Sequence, residues 1–323
     1  MKSHQGRAHP LTQSELTEAL KKVPAGHTSV WEHWEEFLKR YSRLDRSTST
    51  IQNVKDCIRL AVVHLELVSL EQFNNILDVE DRLYAYKDLR QIQHSTLNSY
   101  QKNLNTYFRW LERYGFIQNN PITKIPRGKE TCKEKQIMSE HQITKILYQL
   151  SIQRSTSFER ARNTLIIHIL RVIGARPKEI MAIKMSDISP LKDGSYRLMI
   201  RGIKQGGKIR SYRMKGCLKD AYENYLNQRP PNRANETKLF LSRKHGEGFG
   251  QKGMRYLFGY LQEELKFKIT AYGFRRYVAT TLYREGVPIH KISNHLGHSS
   301  EKITRTYISD LVDWTDEGVD VLT

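Results

Sequence analysis

The stretch Tyr272-Gly-Phe-Arg-Arg-Tyr-Val-Ala-Thr-Thr-Leu282, followed by Ile292-Ser-Asn-His-Leu-Gly-His298 and then by Tyr307, decides the fold of this chain. Apolar side chains recur in it at helical spacing, which predicts a helix over 273–285. A second helix is expected over 289–296, ended by the glycine that follows it, and a short final helix carries the tyrosine. The stretch therefore offers an arginine, a histidine and a tyrosine in one fixed order.

Two further groups of basic residues lie upstream. Arg176, in Gly174-Ala-Arg-Pro-Lys-Glu179, stands between the end of one predicted helix and the start of the next. Backbone N–H groups at helix N-termini bind phosphate, and an arginine there adds a bidentate fork. Lys204 and Lys208 lie at the tip of a hairpin or three-stranded meander, which two alternating segments predict. A lysine at such a tip can protonate a leaving oxygen.

Each of these residues has an ordinary explanation when it is taken alone. Arg176 is equally well a surface arginine beside a turn, and a glycine-rich hairpin with lysines is usually a solvated turn. His298 follows a helix-ending glycine, where histidines are often exposed, and Tyr307 is one of 17 tyrosines. Together, however, the group has cations to hold a pentacoordinate phosphate and a phenol to attack it. The combination predicts phosphoryl transfer.

The charge of the chain points to a polyanionic partner. It has 53 Lys+Arg against 34 Asp+Glu, a formal net charge of +19 and a pI near 9.7. Basic surfaces gain affinity for polyanions by releasing condensed counterions. This surplus alone does not choose among DNA, RNA and an acidic membrane surface.

Cysteine usage and hydropathy indicate an intracellular protein. The three cysteines, Cys57, Cys132 and Cys217, are far apart and lack metal-ligand spacing, so reduced thiols are expected. No segment reaches the roughly 18 to 20 apolar residues that a membrane span needs. We expect a soluble, intracellular protein.

At 323 residues the chain is long enough for two ordinary domains. The pattern predicts a mainly α protein with a small antiparallel β-sheet, in which a bundle of four or more helices precedes an α+β domain. Five segments are expected: a polar N-terminal segment (1–25), a helical domain (26–125), a basic interdomain linker (126–136), a second domain (137–312) and an acidic C-terminal tail (313–323).

The quoted motifs resemble those of the tyrosine recombinase family, also called the phage or lambda-type integrase family. The resemblance covers residues 137–312 well, and the segment around Arg176, from Leu170 to Ile188, is similar to the family's first arginine box. It extends more loosely over 26–125, which looks like the family's core-binding (SAM-like) DNA-binding domain. The resemblance implies a two-domain clamp around duplex DNA.

The resemblance also implies a mechanism and a set of site residues. A tyrosine attacks the scissile phosphate to give a 3′-phosphotyrosine, and a homotetramer on double-stranded DNA exchanges strands through a Holliday junction without ATP or metal. The partner would be a specific recombination site, and a need for accessory proteins stays open. The resemblance further implies a cytoplasmic protein associated with the nucleoid, with no cofactor, no metal and no membrane partner. The implied catalytic residues are Arg176, Lys204, Tyr272, Arg275, His298 and Tyr307.

Two of these assignments carry an open question. The family usually has histidine where this chain has Tyr272, and a phenol cannot serve as a base near neutral pH. Tyr272 is kept as a site residue with a changed role. Lys204 fits the position of the general acid better than Lys208, which remains the alternative.

Other interpretations stay open as well. The tail from Asp310 to Thr323 holds five acidic residues and no Lys or Arg, which suggests docking on a basic protein surface. A type IB topoisomerase-like or telomere-resolving enzyme would share the chemistry. A catalytically weakened DNA-binding accessory protein is a third candidate, favoured only by Tyr272. The DNA sequence recognised, the direction of the reaction and the host mobile element are not specified by the sequence.

Overall fold

The computed structural model describes residues 12–44, 46–130, 137–203, 207–231, 237–242 and 247–308. The chain divides into two compact units, Met1–Lys133 and Glu134–Thr323. Within the described residues, none of the helices is both long and apolar enough to span a bilayer.

The first unit is entirely helical in its described part. It contains five α-helices and two short 3₁₀ turns (Glu71–Asn74 and Pro121–Lys124): α1 (Gln13–Leu20), α2 (Trp34–Ser42), α3 (Thr48–His64), α4 (Ile76–Leu89) and α5 (His94–Arg113). Large aromatic side chains fill its core, and Trp34, Phe37 and Tyr107 are all fully buried. The hydroxyl of Tyr107 donates a hydrogen bond to the Val30 carbonyl at 3.0 Å, which satisfies the one polar atom that this ring buries.

The helix ends of this unit follow from local chemistry. Ser47 caps α3 by accepting from the Thr50 N–H, as the serine and threonine cluster predicts. Gly115, with φ +77°, turns the chain after α5 and lets Phe116 N–H reach the Leu111 carbonyl. The predicted bundle of four or more helices is therefore present.

Two segments next to this bundle differ from the sequence interpretation. The segment 1–25 was expected to be polar and outside the domain, but Leu16 of α1 is fully buried in the core of the first unit. Residues 126–130 were expected to belong to a linker, yet Gln101 and Asn98 of α5 donate to the Pro126 and Gly128 carbonyls. Leu16, Ala19, Leu20 and Val23 recur at helical spacing, but a stripe this short does not by itself show that α1 packs into the bundle.

The second unit combines eight helices with one small sheet in its described part. The helices are α6 (Glu140–Ile152), α7 (Ser157–Ile173), α8 (Pro177–Ala182), α9 (Gly216–Gln228), α10 (Gln251–Leu265), α11 (Ala271–Arg284), α12 (Ile289–Leu296) and α13 (Glu301–Ile308). The strands are β1 (Ile188–Pro190), β2 (Tyr196–Arg201) and β3 (Ile209–Met214), preceded by a 3₁₀ turn at Met185–Asp187. They pair antiparallel in the order β1-β2-β3, with Met199 opposite Ser211. The predicted fold class, mainly α with a small antiparallel sheet, is confirmed.

Helix α7 is the central element of this unit. Its residues 165–167, 169 and 170 are all buried, so the helix is apolar on most of its circumference, as a helix surrounded by others must be. It packs against α6, α9 and α11. Gly174, with φ +66°, ends α7 and leads directly into Arg176, and Pro177 occupies the first turn of α8 as predicted. The core thus fixes where the first arginine of the motif emerges.

Candidate active site

The C-terminus of α12 is where three arginine side chains meet. Three consecutive backbone carbonyls accept hydrogen bonds from three different guanidinium groups: His295 O from Arg210 (3.2 Å), Leu296 O from Arg275, and Gly297 O from Arg176 (3.3 Å). The last carbonyls of a helix have no donor within the helix and carry the negative end of its dipole. One helix end therefore draws together cations from β3, α11 and the start of α8.

A glycine is required at the turn that ends α12. Gly297 has φ +65°, a conformation that side chains with a Cβ rarely adopt. A Cβ built there would lie 2.8 Å from Arg210 Nε and 2.9 Å from its Cζ. The Leu-Gly-His motif is thus a backbone turn packed directly against a buried guanidinium.

A buried carboxylate links two of these arginines. Glu179 Oε1 accepts from Arg176 Nη1 at 3.0 Å, and its Oε2 lies 2.7 Å from Arg210 Nη2. Burial alone would raise the pKa of the Glu179 carboxyl, but the Arg176 N–H and the two guanidinium charges outweigh it and lower the pKa. Three guanidinium groups against one carboxylate leave the site with excess positive charge.

Arg275 is the most deeply placed of the three arginines. Its side chain is only 2% exposed, and Nη1 donates to the Gly174 carbonyl at 2.7 Å. Burial, followed by the charge of Arg176, lowers the pKa of Arg275 to about 10, so the group still carries its charge at neutral pH. Its Nε donates to His298 Nε2 at 3.2 Å.

His298 is held as a neutral ring. Because Arg275 Nε can only donate, His298 Nε2 must be the unprotonated acceptor, and Nδ1–H then donates to Thr304 Oγ1 at 2.7 Å. Burial, with the charges of Arg275 and then Arg176, lowers the pKa of His298 to about 3. In this arrangement the imidazole supports Arg275. To donate to a phosphate, as the motif implies, His298 must give up one of these contacts or change tautomer.

Tyr307, on α13, lies next to His298 and Arg275. Its ring stacks on His298, with the centroids 5.1 Å apart and the planes inclined by 25°. Burial raises the pKa of Tyr307, and the charge and hydrogen bond of Arg275 lower it in part. Tyr272 is close enough for its own charge to affect this pKa, although its side chain is 61% exposed. The structure brings Arg176, Arg275, His298 and Tyr307 together, with Tyr272 beside them.

The two candidate lysines are placed differently. Lys204 lies outside the described residues, whereas Lys208 is described and is exposed just before β3. The base of the hairpin is anchored by Arg201, which donates to the buried Asp187 carboxylate at 2.9 Å. The choice between the two lysines therefore stays as the sequence left it.

Sequence reasoning missed three residues that contact this group. Arg210 shares the buried face of β3 with Tyr212 and Met214, so the alternation of the strand carried a signal for it. Thr304, fully buried, lies one turn before Tyr307 on the same face of α13. Arg276 was missed because the motif includes only its neighbour, Arg275.

No metal site is found in the part of the chain that the structure describes, in the sense of three or more clustered His, Cys, Asp or Glu side chains. Cys57 is a buried free thiol whose pKa is raised to about 12 by burial, and Cys217 is an exposed free thiol. Cys132 and the acidic tail, including Asp310 and Asp313, lie outside the described residues.

Comparison with protein families identifies a match over more than half of the chain. The model of the family described as "Phage integrase family" matches residues 136–312. A similar curated protein is the tyrosine recombinase XerS of Streptococcus pyogenes serotype M2, which is 22% identical over 331 aligned positions. That alignment covers 93% of this chain and 92% of XerS.

Three solved structures share the fold. A lambda integrase dimer bound to a COC′ core site has a TM-score of 0.66 at 16% identity, over 93% of this chain and 81% of that one. The Tn1549 transposon integrase in complex with circular intermediate DNA has a TM-score of 0.65 at 16% identity, over 87% and 94%. The XerH recombinase bound to its difH substrate before cleavage has a TM-score of 0.60 at 18% identity, over 91% and 90%.

Proposed function

This chain belongs to the phage integrase family and is a tyrosine recombinase, an enzyme of site-specific DNA recombination, and from that premise we propose the residues and the covalent step by which it acts. The observation that carries the proposal is the convergence of Arg176, Arg275 and His298 beside the phenol of Tyr307. The substrate is duplex DNA that carries a specific recombination site, in keeping with the charge of +19.

The first chemical step is a transesterification. The Tyr307 oxygen forms a bond to the scissile phosphorus, and the bond from phosphorus to the 5′ oxygen of the next nucleotide breaks. The phenolic proton passes from Tyr307 to solvent, and a proton from Lys204, or from Lys208 as the alternative, goes to the departing 5′ oxygen. The products are a 3′-phosphotyrosine and a free 5′-hydroxyl.

The arginines stabilise the charge that develops in this step. Arg176 and Arg275 are fork-shaped donors suited to the non-bridging phosphate oxygens, and their placement before DNA binds means that little reorganisation is needed. Arg210, only 8% exposed, holds the helix end and Glu179 behind them. His298 keeps Arg275 in place and becomes a third donor if its contacts rearrange on DNA.

Strand exchange follows from the same chemistry run in reverse. The free 5′-hydroxyl of one DNA attacks the phosphotyrosine of its partner, and a second round resolves the Holliday junction. The phosphotyrosine conserves the energy of the phosphodiester bond, so neither ATP nor a metal enters the scheme. We propose a cytoplasmic homotetramer on DNA in which both units of each subunit contact the duplex, and a need for accessory proteins stays open.

Covalent capture tests the proposal. The wild type and Tyr307→Phe are incubated with fragmented, randomly nicked chromosomal DNA of the host cell, denatured, and assayed for DNA that stays attached to protein. Tyr256→Phe is the matched control, because Tyr256 is an exposed tyrosine of the same unit that lies outside the site. We expect adducts at one recurring sequence with the wild type and Tyr256→Phe, and none with Tyr307→Phe.

Other results would redirect the assignment. Adducts at wild-type level in Tyr307→Phe would remove this residue as the nucleophile. Binding to DNA without any adduct in the wild type would favour the accessory-protein alternative. Relaxation of any supercoiled plasmid by a single subunit would favour a topoisomerase-like enzyme.

A further inference from the structure

We propose that Arg276 is a positioning residue that holds the nucleophile-bearing helix α13 against α11 and fixes the ring of Tyr307. The inference rests on the proposed role of Tyr307 as the nucleophile. It gives a function to a buried arginine that neither the motif nor the phosphate chemistry uses.

Arg276 lies beside Arg275 in sequence but acts in another direction. Successive residues of a helix point roughly 100° apart, so two adjacent side chains serve different neighbours. Arg275 reaches the carbonyl of Leu296 at the end of α12. Arg276 reaches α13, where its Nη2 donates to the Thr306 carbonyl at 2.9 Å.

The contact with Thr306 supports the end of α13 that carries the nucleophile. Thr306 is the residue directly before the nucleophile, so this hydrogen bond fixes the backbone next to Tyr307. Arg276 is only 4% exposed, so its charge has been taken out of water to make this contact. Because burying a charge costs free energy unless it is paired, we expect the Arg276 guanidinium to keep one fixed position at its partners.

The Arg276 guanidinium also contacts the Tyr307 ring. Its Cζ lies 5.6 Å from the ring centroid, within the range of roughly 6 Å for a cation–π contact. His298 stacks on the ring as well. Arg276 and His298 therefore both restrict the Tyr307 ring, and Arg276 also holds the backbone carbonyl of the preceding residue, Thr306.

Helix α13 depends on such contacts. It has eight residues, and an isolated helix of that length is not stable in water. Other contacts that hold it include the Thr304 hydrogen bond to His298, the stacking of Tyr307 on the same ring and the buried side chain of Ile308. Removing Arg276 should leave α13 attached but allow the Tyr307 oxygen to occupy more than one position. A displacement of about 1 Å can lower the rate by on the order of 10²-fold.

The test compares Arg276→Met and Arg276→Lys with Arg284→Met. Arg284 is exposed in the last turn of the same helix, so its substitution removes an equal charge from α11 away from Tyr307. The probe is fragmented, randomly nicked chromosomal DNA of the host cell. The readouts are the rate of covalent adduct formation and, separately, the retention of that DNA under native conditions.

We expect Arg276→Met to form adducts roughly 10- to 100-fold more slowly than Arg284→Met while retaining DNA equally well. Arg276→Lys keeps the charge and one donor and should recover part of the rate. Thermal unfolding confirms that each variant is folded. A rate for Arg276→Met within about threefold of the Arg284→Met control would overturn the inference.

A second readout needs no DNA. In protein labelled with 3-fluorotyrosine, the ¹⁹F resonance of Tyr307 is identified by its absence in Tyr307→Phe. This resonance should shift or broaden in Arg276→Met and stay unchanged in Arg284→Met; no change in either variant would contradict the positioning role. If the wild type forms no adduct with the DNA pool, the proposed function fails, while this spectrum still decides the role of Arg276.

Discussion

His298 is a neutral ring in this site, and both of its nitrogens already make hydrogen bonds. Arg275 donates to Nε2, and Nδ1–H donates to Thr304 Oγ1. Burial and the nearby arginine charges lower its pKa to about 3, so the ring is neutral at neutral pH. Tyr307, in contrast, has a raised pKa, so it is protonated at neutral pH. The pH dependence of cleavage should therefore report Tyr307 and not His298.

The rate of adduct formation should rise continuously from about pH 6 to about pH 9. Below the pKa of Tyr307 the phenolate fraction grows tenfold per pH unit, and no imidazolium is lost near pH 6.5 because His298 is neutral throughout. Single-turnover cleavage of the captured DNA site measures the profile. A rate that falls as the pH passes through about 6.5 would show that a protonated histidine is required, contrary to this structure.

Tyr272→His should accelerate cleavage at neutral pH. An exposed imidazole near Tyr307 would have an ordinary pKa of about 6.5 and could accept the phenolic proton. General-base catalysis of this kind increases a reaction rate by roughly 10²-fold or more. The variant's pH profile should level off above about pH 7, where that base is fully neutral.

Tyr272→Phe is the matched control for this substitution. It removes the hydroxyl without adding a base, and it should keep the steep pH profile of the wild type. A Tyr272→His variant with the same rate and profile as Tyr272→Phe would mean that position 272 does not reach the transferred proton.

The motif residues could be predicted from sequence because their order is specific, but their partners could not. Arg176, Arg275, His298 and Tyr307 were all named, and the structure brings them together. Arg210 was missed. In its strand, Ile209–Met214, the alternation places Arg210 on the same face as Tyr212 and Met214, but the apolar Ile209 favours the opposite face as the buried one. Ile209 is in fact 58% exposed and Arg210 is buried, because Glu179 and the end of α12 compensate its charge.

Among the elements, α12 organises the site through its C-terminal end. Three successive carbonyls of this end hold three arginines. The geometry depends on the turn at Gly297, where both a positive φ and the proximity of Arg210 exclude a side chain.

Gly297→Ala should therefore impair both stability and catalysis. A left-handed alanine costs about 1–2 kcal/mol, and the Cβ contact at 2.8 Å with Arg210 Nε forces that guanidinium to move. We expect adduct formation to fall by roughly 10²-fold, since the arginines lose their fixed positions. Thermal unfolding and single-turnover cleavage measure the two effects.

Gly286→Ala separates backbone strain from the contact with Arg210. Gly286 has φ +73°, but a Cβ there would meet nothing within 4 Å. It should lose about 1 kcal/mol of stability and cleave at nearly the wild-type rate. Equal losses of cleavage rate in the two variants would remove the contact with Arg210 as the cause.

Caps allowed several helix ends to be predicted from the sequence, whereas the burial of a helix in the core could not be predicted. The capping box at Ser139 and Gln142, and the glycines that end α7 and α12, are local signals, and the structure has all of them. Helix α1 also begins with a capping box, formed by Thr12 and Glu15, but the core that buries its Leu16 is formed by residues far along the chain. Burial of this kind is a tertiary effect that a local pattern does not contain.

For the molecule as a whole, the charge of +19 predicts strongly salt-dependent binding to DNA. Each phosphate neutralised contributes a slope of about −0.9 to the plot of log affinity against log salt concentration. Fluorescence anisotropy of Tyr307→Phe on duplex DNA should show a loss of about 10³-fold or more between roughly 50 and 200 mM salt. An affinity that does not change over this range would place the positive charge away from the DNA contact surface.

The central claim is that Tyr307 becomes covalently joined to a 3′ phosphate. The most direct test is to digest the captured adduct with protease and nuclease, sequence the modified peptide by mass spectrometry, and determine which DNA end is blocked. We predict a peptide that contains Tyr307 carrying a nucleotide through its 3′ phosphate, with a free 5′-hydroxyl on the other DNA end. A nucleotide on a different residue, such as Tyr272, or a linkage through a 5′ phosphate, would contradict the account.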